Sequence, residues 1–174
     1  PGFAFNQDTG TFWHGTHVAG IVAAEDNNIG TVGIAPRATI VGVKVLHNGT
    51  GSFGWVIQGI LYAATPLAAG GGGADIINMS LGAVFPRGGG NTGAGPLVAA
   101  MNKAVNYAGS QGVLVVSAAG NDALDLDHSG SLIAVPAASG SGIAVSSTGP
   151  VGFAYGQTNF RRPASYTNYG TSVI

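Results

Sequence analysis

Val113-Leu114-Val115-Val116-Ser117 is a nearly continuous apolar, β-branched run. It is strand length, too short for an ordinary helix, and its lack of polar alternation marks a strand buried on both faces. Asp75-Ile76-Ile77-Asn78-Met79-Ser80-Leu81 reads the same way, as does Ile40-Val41-Gly42-Val43-Lys44-Val45-Leu46, bounded by turn residues. Ile143-Ala144-Val145-Ser146 is a shorter fourth. Between these runs the period changes. Apolar residues at 53, 56, 57, 60 and 61 predict a helix over Phe53 to Ala64, and a second helix is expected from about Pro96 to Ala108, with proline suited to its first turn. Apolar strands alternating with helices predict an α/β fold, a mostly parallel central sheet with helices on both faces and right-handed crossovers. Active sites in such sheets lie beyond the carboxyl ends of the strands. Chemistry is therefore to be sought just after Leu46, Leu81 and Ser117.

Composition narrows the function classes. With 174 residues and 45% hydrophobic content the chain suits one domain with a real core. Only 7% of residues are charged and the net charge is -1, which argues against a nucleic-acid partner. No apolar run approaches the ~20 residues needed to span a bilayer, so no membrane partner is expected. No signal peptide is visible at Pro1, and the chain reads as an internal or processed segment. The absence of cysteine excludes disulfides, thiolate metal sites and a cysteine nucleophile.

Two glycine-rich stretches interrupt the pattern, Ala68-Ala69-Gly70-Gly71-Gly72-Gly73 and Pro86-Arg87-Gly88-Gly89-Gly90-Asn91-Thr92-Gly93. Neither continues into Gly-Lys-Ser/Thr, so neither is a phosphate loop. Both are expected to be flexible surface loops. Asn48-Gly49-Thr50-Gly51-Ser52 reads as a further loop.

His14-Gly15-Thr16-His17-Val18-Ala19-Gly20 puts a histidine where a helix begins, followed by small residues that let that helix lie close to a neighbour. As a whole string it resembles the catalytic-histidine motif of the subtilases, the subtilisin-like serine peptidases. Further strings resemble the same family, in its order: Gly33-Ile34-Ala35-Pro36, Val43-Lys44-Val45-Leu46, Ile77-Asn78-Met79-Ser80-Leu81-Gly82, Val116-Ser117-Ala118-Ala119-Gly120-Asn121 and Ala164-Ser165-Tyr166-Thr167-Asn168-Tyr169-Gly170. The resemblance spans nearly the whole chain. It implies a three-layer subtilisin-like fold and a secreted or extracellular serine endopeptidase working through an Asp-His-Ser triad.

The resemblance assigns roles that the chemistry explains. Serine attack needs a base to take the hydroxyl proton and return it to the leaving amine, and His14 matches that base. A helix N-terminus disfavours imidazolium, so a buried carboxylate is needed to stabilise it. His17, one turn on, reads as a helix-packing residue. A zinc site on the two histidines is disfavoured by their spacing and the lack of a glutamate partner. Asn121 matches the oxyanion-hole asparagine, whose amide donates to the tetrahedral intermediate. The substrate, an extended polypeptide, would pair as an added strand. Ser80, Leu81 and Gly82 would form one side, Ala118, Ala119 and Gly120 a wall of the pocket before the cleaved bond, and Gly49 to Gly51 the other rim. Phe53 would cap a more distant apolar subsite or pack in the core of the following helix, and the sequence leaves both open. A propeptide or a proteinaceous inhibitor would be a further partner.

Glu25-Asp26-Asn27-Asn28-Ile29-Gly30-Thr31 matches the family's calcium loop, which implies a structural Ca2+ bound by main-chain carbonyls at Glu25, Ile29 and Thr31 and by the Asn27 side chain. The remaining ligands would lie upstream of Pro1. Asp122, Asp125 and Asp127 form a small acidic cluster that reads as solvated loop or as a second ion site. The Val135-Pro136 bond is open to either isomer.

Two departures matter. The family order is aspartate, histidine, serine. The strand bearing the aspartate is expected before Pro1, and the nucleophile's Gly-Thr-Ser-Met-Ala string beyond Ile174. Asp8-Thr9-Gly10 copies the family's Asp-Thr-Gly but lacks the preceding apolar strand, and Gly170-Thr171-Ser172 is followed by Val173-Ile174 in place of Met-Ala. Residues 1–174 therefore read as a partial subtilisin-like catalytic domain that alone hydrolyses no peptide. The competing reading is a catalytically inactive relative that keeps the cleft as a peptide-binding module.

Overall fold

The structure is a computed structural model that describes residues 13–87, 94–149, 155–156, 158–171 and 173. Three helices are described, α1 (His14–Ala23), α2 (Phe53–Ala64) and α3 (Gly95–Ser110). The strands are β1 (Ile76–Met79), β2 (Ala83–Pro86), β3 (Leu114–Ala118), β4 (Leu132–Val135) and β5 (Ile143–Val145). The chain divides into two compact units between Gly59 and Ile60, inside α2.

In the second unit β1, β3 and β5 form a parallel sheet in the order β1-β3-β5. Ile77 stands opposite Val115, Met79 opposite Ser117, and Ser117 in turn opposite Ala144. The face carrying these residues is buried. The other face is apolar too, and its Ile76, Leu114 and Val145 are exposed. Apolar residues on both faces are the mark of a parallel strand. This is the expected α/β class, with a mostly parallel sheet and helices. The sequence does not suggest β2 and β4, which pair antiparallel with Ala83 opposite Val135 and Pro86 opposite Leu132. Each is only four residues long, and β2 ends on a proline, which strands admit mainly at edges. The Val135-Pro136 bond is cis.

α3 lies against β3 through Met101, Ala104, Val105 and Ala108, a buried stripe at i, i+3, i+4 and i+7. Val105 and Val115 both lie close to Gly142, where a Cβ would meet the Val115 carbonyl at 3.2 Å and the Val105 side chain at 3.4 Å. Pro96 stands in the first turn as expected, where its missing N–H leaves no helical bond unmade. Asn102 and Asn106, one turn apart, accept the amides of Gly140 and Ser141 at 3.2 and 3.0 Å and hold the loop that enters β5.

α2 is the helix predicted, with its buried stripe at Val56, Ile60, Ala63 and Ala64. The stretch after it is no flexible loop. Leu67–Ala69 forms a single 3₁₀ turn, and the chain then folds back onto the helix end. The amides of Gly72, Gly73 and Ala74 donate to the carbonyls of Tyr62, Thr65 and Ala63 at 2.7, 2.9 and 2.9 Å. These satisfy carbonyls that a helix C-terminus leaves without intrahelical partners. Gly71 is required by proximity, since a Cβ there would overlap the Thr65 carbonyl oxygen. The second glycine-rich stretch lies outside the described residues from 88 to 93.

Residues 40–46 depart from expectation. They form no strand, because no ladder partner exists for them among the described residues, and Ile40 and Val41 are exposed. The run is instead packed by α2 in the first unit, where Gly59 lies against the side chains of Val43 and Val45.

Met101 is completely buried. Met101→Ala is expected to lower the unfolding free energy by about 2–5 kcal/mol, through lost transfer energy and a residual cavity. Leu97→Ala, at an exposed position of the same helix, is expected to stay within about 0.5 kcal/mol. Urea denaturation of both variants checks the pair.

Candidate active site

α1 begins at His14 with Trp13 before it, and the Trp13 side chain makes no capping hydrogen bond. The helix is anchored at its other end. After the loop 25–32 the chain returns, and the amides of Gly33, Ile34 and Ala35 donate to the carbonyls of Ala24, Ile21 and Val22 at 2.9, 3.0 and 2.8 Å. Gly33 is buried against this helix end, and a Cβ there would sit 2.5 Å from the Ala24 nitrogen and 2.7 Å from the Ala23 Cα. The Gly33-Ile34-Ala35 string thus fixes the end of the helix that carries His14. His14 and His17 are both exposed.

In the loop between, Glu25, Asn27, Ile29 and Thr31 are all exposed. Asn27 Oδ1 accepts the Ile29 amide at 3.1 Å, and its Nδ2 donates to Glu25 Oε2 at 3.3 Å. Asn28 and Gly30 take left-handed φ of 63° and 68°, so the loop is tightly coiled. Its oxygen donors, carbonyl, amide and carboxylate, are of the kind a hard cation takes. No group of three or more acidic or histidine side chains able to hold a metal ion occurs among the described residues.

Gly49 sits in a tight turn. His47 and Thr50 exchange backbone hydrogen bonds of 2.7 and 3.0 Å around Asn48 and Gly49, whose φ values of 49° and 78° belong to a type I′ turn. Gly51 follows, where a Cβ would meet the Val45 carbonyl at 2.5 Å. Ser52 immediately precedes α2, its Oγ accepting the Trp55 amide at 3.2 Å as a serine N-cap does. Phe53 is the first residue of α2 and half-buried.

In the second unit, Ser80-Leu81-Gly82 leaves the carboxyl end of β1 and Ala119-Gly120-Asn121 the carboxyl end of β3. These strands are parallel neighbours, so the register that sets Met79 beside Ser117 brings the two segments out side by side. Ser80 Oγ accepts Asn78 Nδ2 at 3.0 Å, and Leu81 is half-buried. Ala118 closes β3. Ala119 is buried, its amide donating to the Val145 carbonyl at 2.9 Å. Gly120 has φ +110°, a conformation side chains rarely adopt, and the space of its missing Cβ is filled by the Asn168 amide nitrogen. Asn121 is exposed.

The loop after Asn121 is zipped to the segment 166–171. Ala123 donates to Tyr166, Tyr169 to Leu124 and Leu126 to Tyr169, at 2.9, 2.9 and 2.8 Å. Asp127 accepts the Thr171 amide at 2.7 Å. Asn168 is wholly buried at the centre of this seam. Its string is legible in the sequence, but its role is not, because its contacts reach residues more than forty positions away. Asp8 and Ser172 lie outside the described residues.

A model of the subtilase family matches residues 4–173. The chain belongs to the subtilase family. It is 44% identical over 137 residues to the major intracellular serine protease of Bacillus subtilis (strain 168), covering 77% of this chain and 37% of that protein. It is 40% identical over 166 residues to an extracellular protease of Xanthomonas campestris pv. campestris, covering 92% of this chain and 24% of that protein. Among solved structures, a protease from Pseudoalteromonas arctica PAMC 21717 superimposes with a TM-score of 0.71 at 34% identity, over 93% of this chain and 42% of that one. The chain therefore spans well under half the length of these subtilases. The shared fold is the subtilase three-layer α/β architecture.

Within the loop that follows Asn121, His128 Nδ1 lies 2.9 Å from Asp125 Oδ2. This hydrogen bond holds the His128 pKa above its usual value, and the same bond lowers that of Asp125. The His128 contribution to stability is complete below the unfolded value of 6.5 and is lost as pH rises through the raised folded value. The Asp125 contribution is present above 3.8 and is lost as pH falls through its depressed value. The pair is thus strongest between those limits. Proton NMR titration is expected to find His128 titrating above ~6.5, and Asp125→Asn to return it toward that value.

Proposed function

We propose that this chain is the central part of the catalytic domain of a serine endopeptidase, with His14 as general base and Asn121 as oxyanion donor. The observation that carries the reading is the family match over residues 4–173, which includes both. In this reading the serine and the aspartate that complete the triad are supplied by the rest of the protein. His14 takes the serine hydroxyl proton as the oxygen attacks the scissile carbonyl, then delivers it to the leaving amine. The Asn121 amide donates to the oxyanion while the carbonyl carbon is tetrahedral, an interaction absent from the planar ground state. Water then repeats the sequence to release the acyl group.

The substrate is an extended polypeptide. Main chain at Ser80-Leu81-Gly82 and Ala118-Ala119-Gly120 supports it as an added strand, since both segments leave the same ends of neighbouring strands. By the family resemblance Gly49 and Gly51 would also contact the substrate, as backbone free of side chains that a substrate can approach closely, and Phe53 would supply a more distant apolar subsite. A propeptide or proteinaceous inhibitor would occupy the same cleft. We further propose a structural Ca2+ at the Glu25, Ile29 and Thr31 carbonyls and the Asn27 side chain, and secretion of the enzyme. The 40% identical protease of Xanthomonas campestris bears the name extracellular, which supports that localisation.

Labelling the full-length protein with a fluorophosphonate tests the reading. Covalent reaction abolished by His14→Ala is expected, and an intact protein that never reacts supports the inactive peptide-binding module instead. Asn121→Ala is expected to lower kcat about 10²–10³-fold with little change in KM, the range that loss of an oxyanion-hole asparagine costs in subtilisin, another member of this family. For the calcium proposal, chelation is expected to lower the thermal midpoint and added Ca2+ to restore it, as linkage requires of a ligand bound only by the folded state. An unchanged midpoint with Asn27→Ala and with chelator removes the proposal.

A further inference from the structure

Asn168 carries no charge and reaches no solvent, yet every hydrogen-bonding position of its amide is used. Oδ1 accepts the amides of Asp122 and Leu124 at 2.9 and 3.0 Å. Nδ2 donates to the Ala119 carbonyl at 2.9 Å and to Asp122 Oδ2 at 3.2 Å. An amide has two donors and two acceptor lone pairs, so this set is full. The backbone adds one more bond, from the Asn168 amide to the Gly120 carbonyl at 3.0 Å. Residues 119, 120, 122 and 124 are held, and Asn121 stands between them with its own side chain untouched by the clamp.

The clamp is itself fixed from the far side. The Asn168 carbonyl accepts the Ser146 and Thr167 hydroxyls, and Thr167 Oγ1 accepts the Ser147 amide at 2.8 Å. Ser146 and Ser147 directly follow β5, the outer neighbour of β3. The loop after β3 is therefore referred back to the sheet by one buried side chain. Gly120 is the matching half of the device, because any Cβ there would occupy the space of the Asn168 amide nitrogen.

We infer that Asn168 is a positioning residue for the oxyanion donor, acting on Asn121 by fixing the backbone on both sides of it. This inference rests on the oxyanion role proposed for Asn121. An oxyanion donor is effective only when preorganised, and a displacement of about 1 Å costs on the order of 10²-fold in rate. A residue that only stabilised the fold would change the amount of folded enzyme and leave the rate per folded molecule alone.

A double-mutant cycle in the full-length protein decides it, with kcat referred to folded protein measured by near-UV circular dichroism. Asn168→Ala is expected to lower kcat about 10–100-fold with KM changed by less than about threefold, and to lower it less than about twofold in the Asn121→Ala background, since residues acting through one another are non-additive. Asn168→Ser, which stays uncharged and keeps a hydroxyl able to donate and accept, serves the same cycle should Asn168→Ala fail to fold. Equal losses in both backgrounds, or an unchanged kcat per folded molecule, overturn the positioning role and leave the peptidase reading standing. An Asn121→Ala enzyme as fast as wild type overturns the oxyanion reading, and this inference with it.

Discussion

The pairing of β1 with β3 is the constraint on which the second unit depends. Parallel strands in register end together, so fixing Met79 opposite Ser117 places the next residues of both chains at one edge of the sheet. Side chains alternate between faces, and a slip by one residue would turn Ile77, Met79, Val115 and Ser117 out of the core. The burial of that face against α3 therefore enforces the register, and the register places Ser80 to Gly82 next to Ala119 to Asn121. Packing and site geometry are the same fact at the two ends of four-residue and five-residue strands.

What is legible in the sequence has short range. The helix at Phe53–Ala64 is readable from its spacing, and the three strands of the parallel sheet from unbroken apolar runs, since burial on one or both faces leaves its period in the chain itself. The apolar run 40–46 looks equally like a strand, but strand identity requires a partner's hydrogen bonds, which no local pattern encodes. Glycine misleads in the other direction. Ala68 to Gly73 reads as flexible because glycine permits many conformations, whereas here it serves close approach, the backbone of Gly71 lying on Thr65 as the returning chain closes the end of α2. Gly33 does the same for α1. In both places a helix terminus with orphan carbonyls is met by returning main chain, and only a residue without a side chain comes close enough.

The candidate site divides along the same line. His14, Asn121 and the segments at 80–82 and 118–120 are legible because strings of the subtilase family carry them, and the family match spans them all. The role of Asn168 is not, because a buried amide in a sequence is indistinguishable from a solvated one until its partners are known. Its partners lie 44 to 49 residues away.

The low charge of the chain explains why asparagine recurs at these places. Charged residues make up 7% of the sequence, and burying an ion without a matched partner is prohibitive. An amide offers donors and acceptors together with no net charge, so one side chain can satisfy main-chain N–H and C=O at once. Asn168 does both at the exit from β3, while Asn102 and Asn106 accept main-chain amides at the entry to β5. The ion pair of Asp125 and His128 stays at the surface, where water sustains it. An aspartate at position 168 would keep the two acceptor bonds but set a carboxylate against the Ala119 carbonyl and the Asp122 carboxylate, in a place without solvent. The chemistry of the seam therefore requires the amide specifically. The left-handed glycine at 120 is required because the amide nitrogen must stand where its side chain would be.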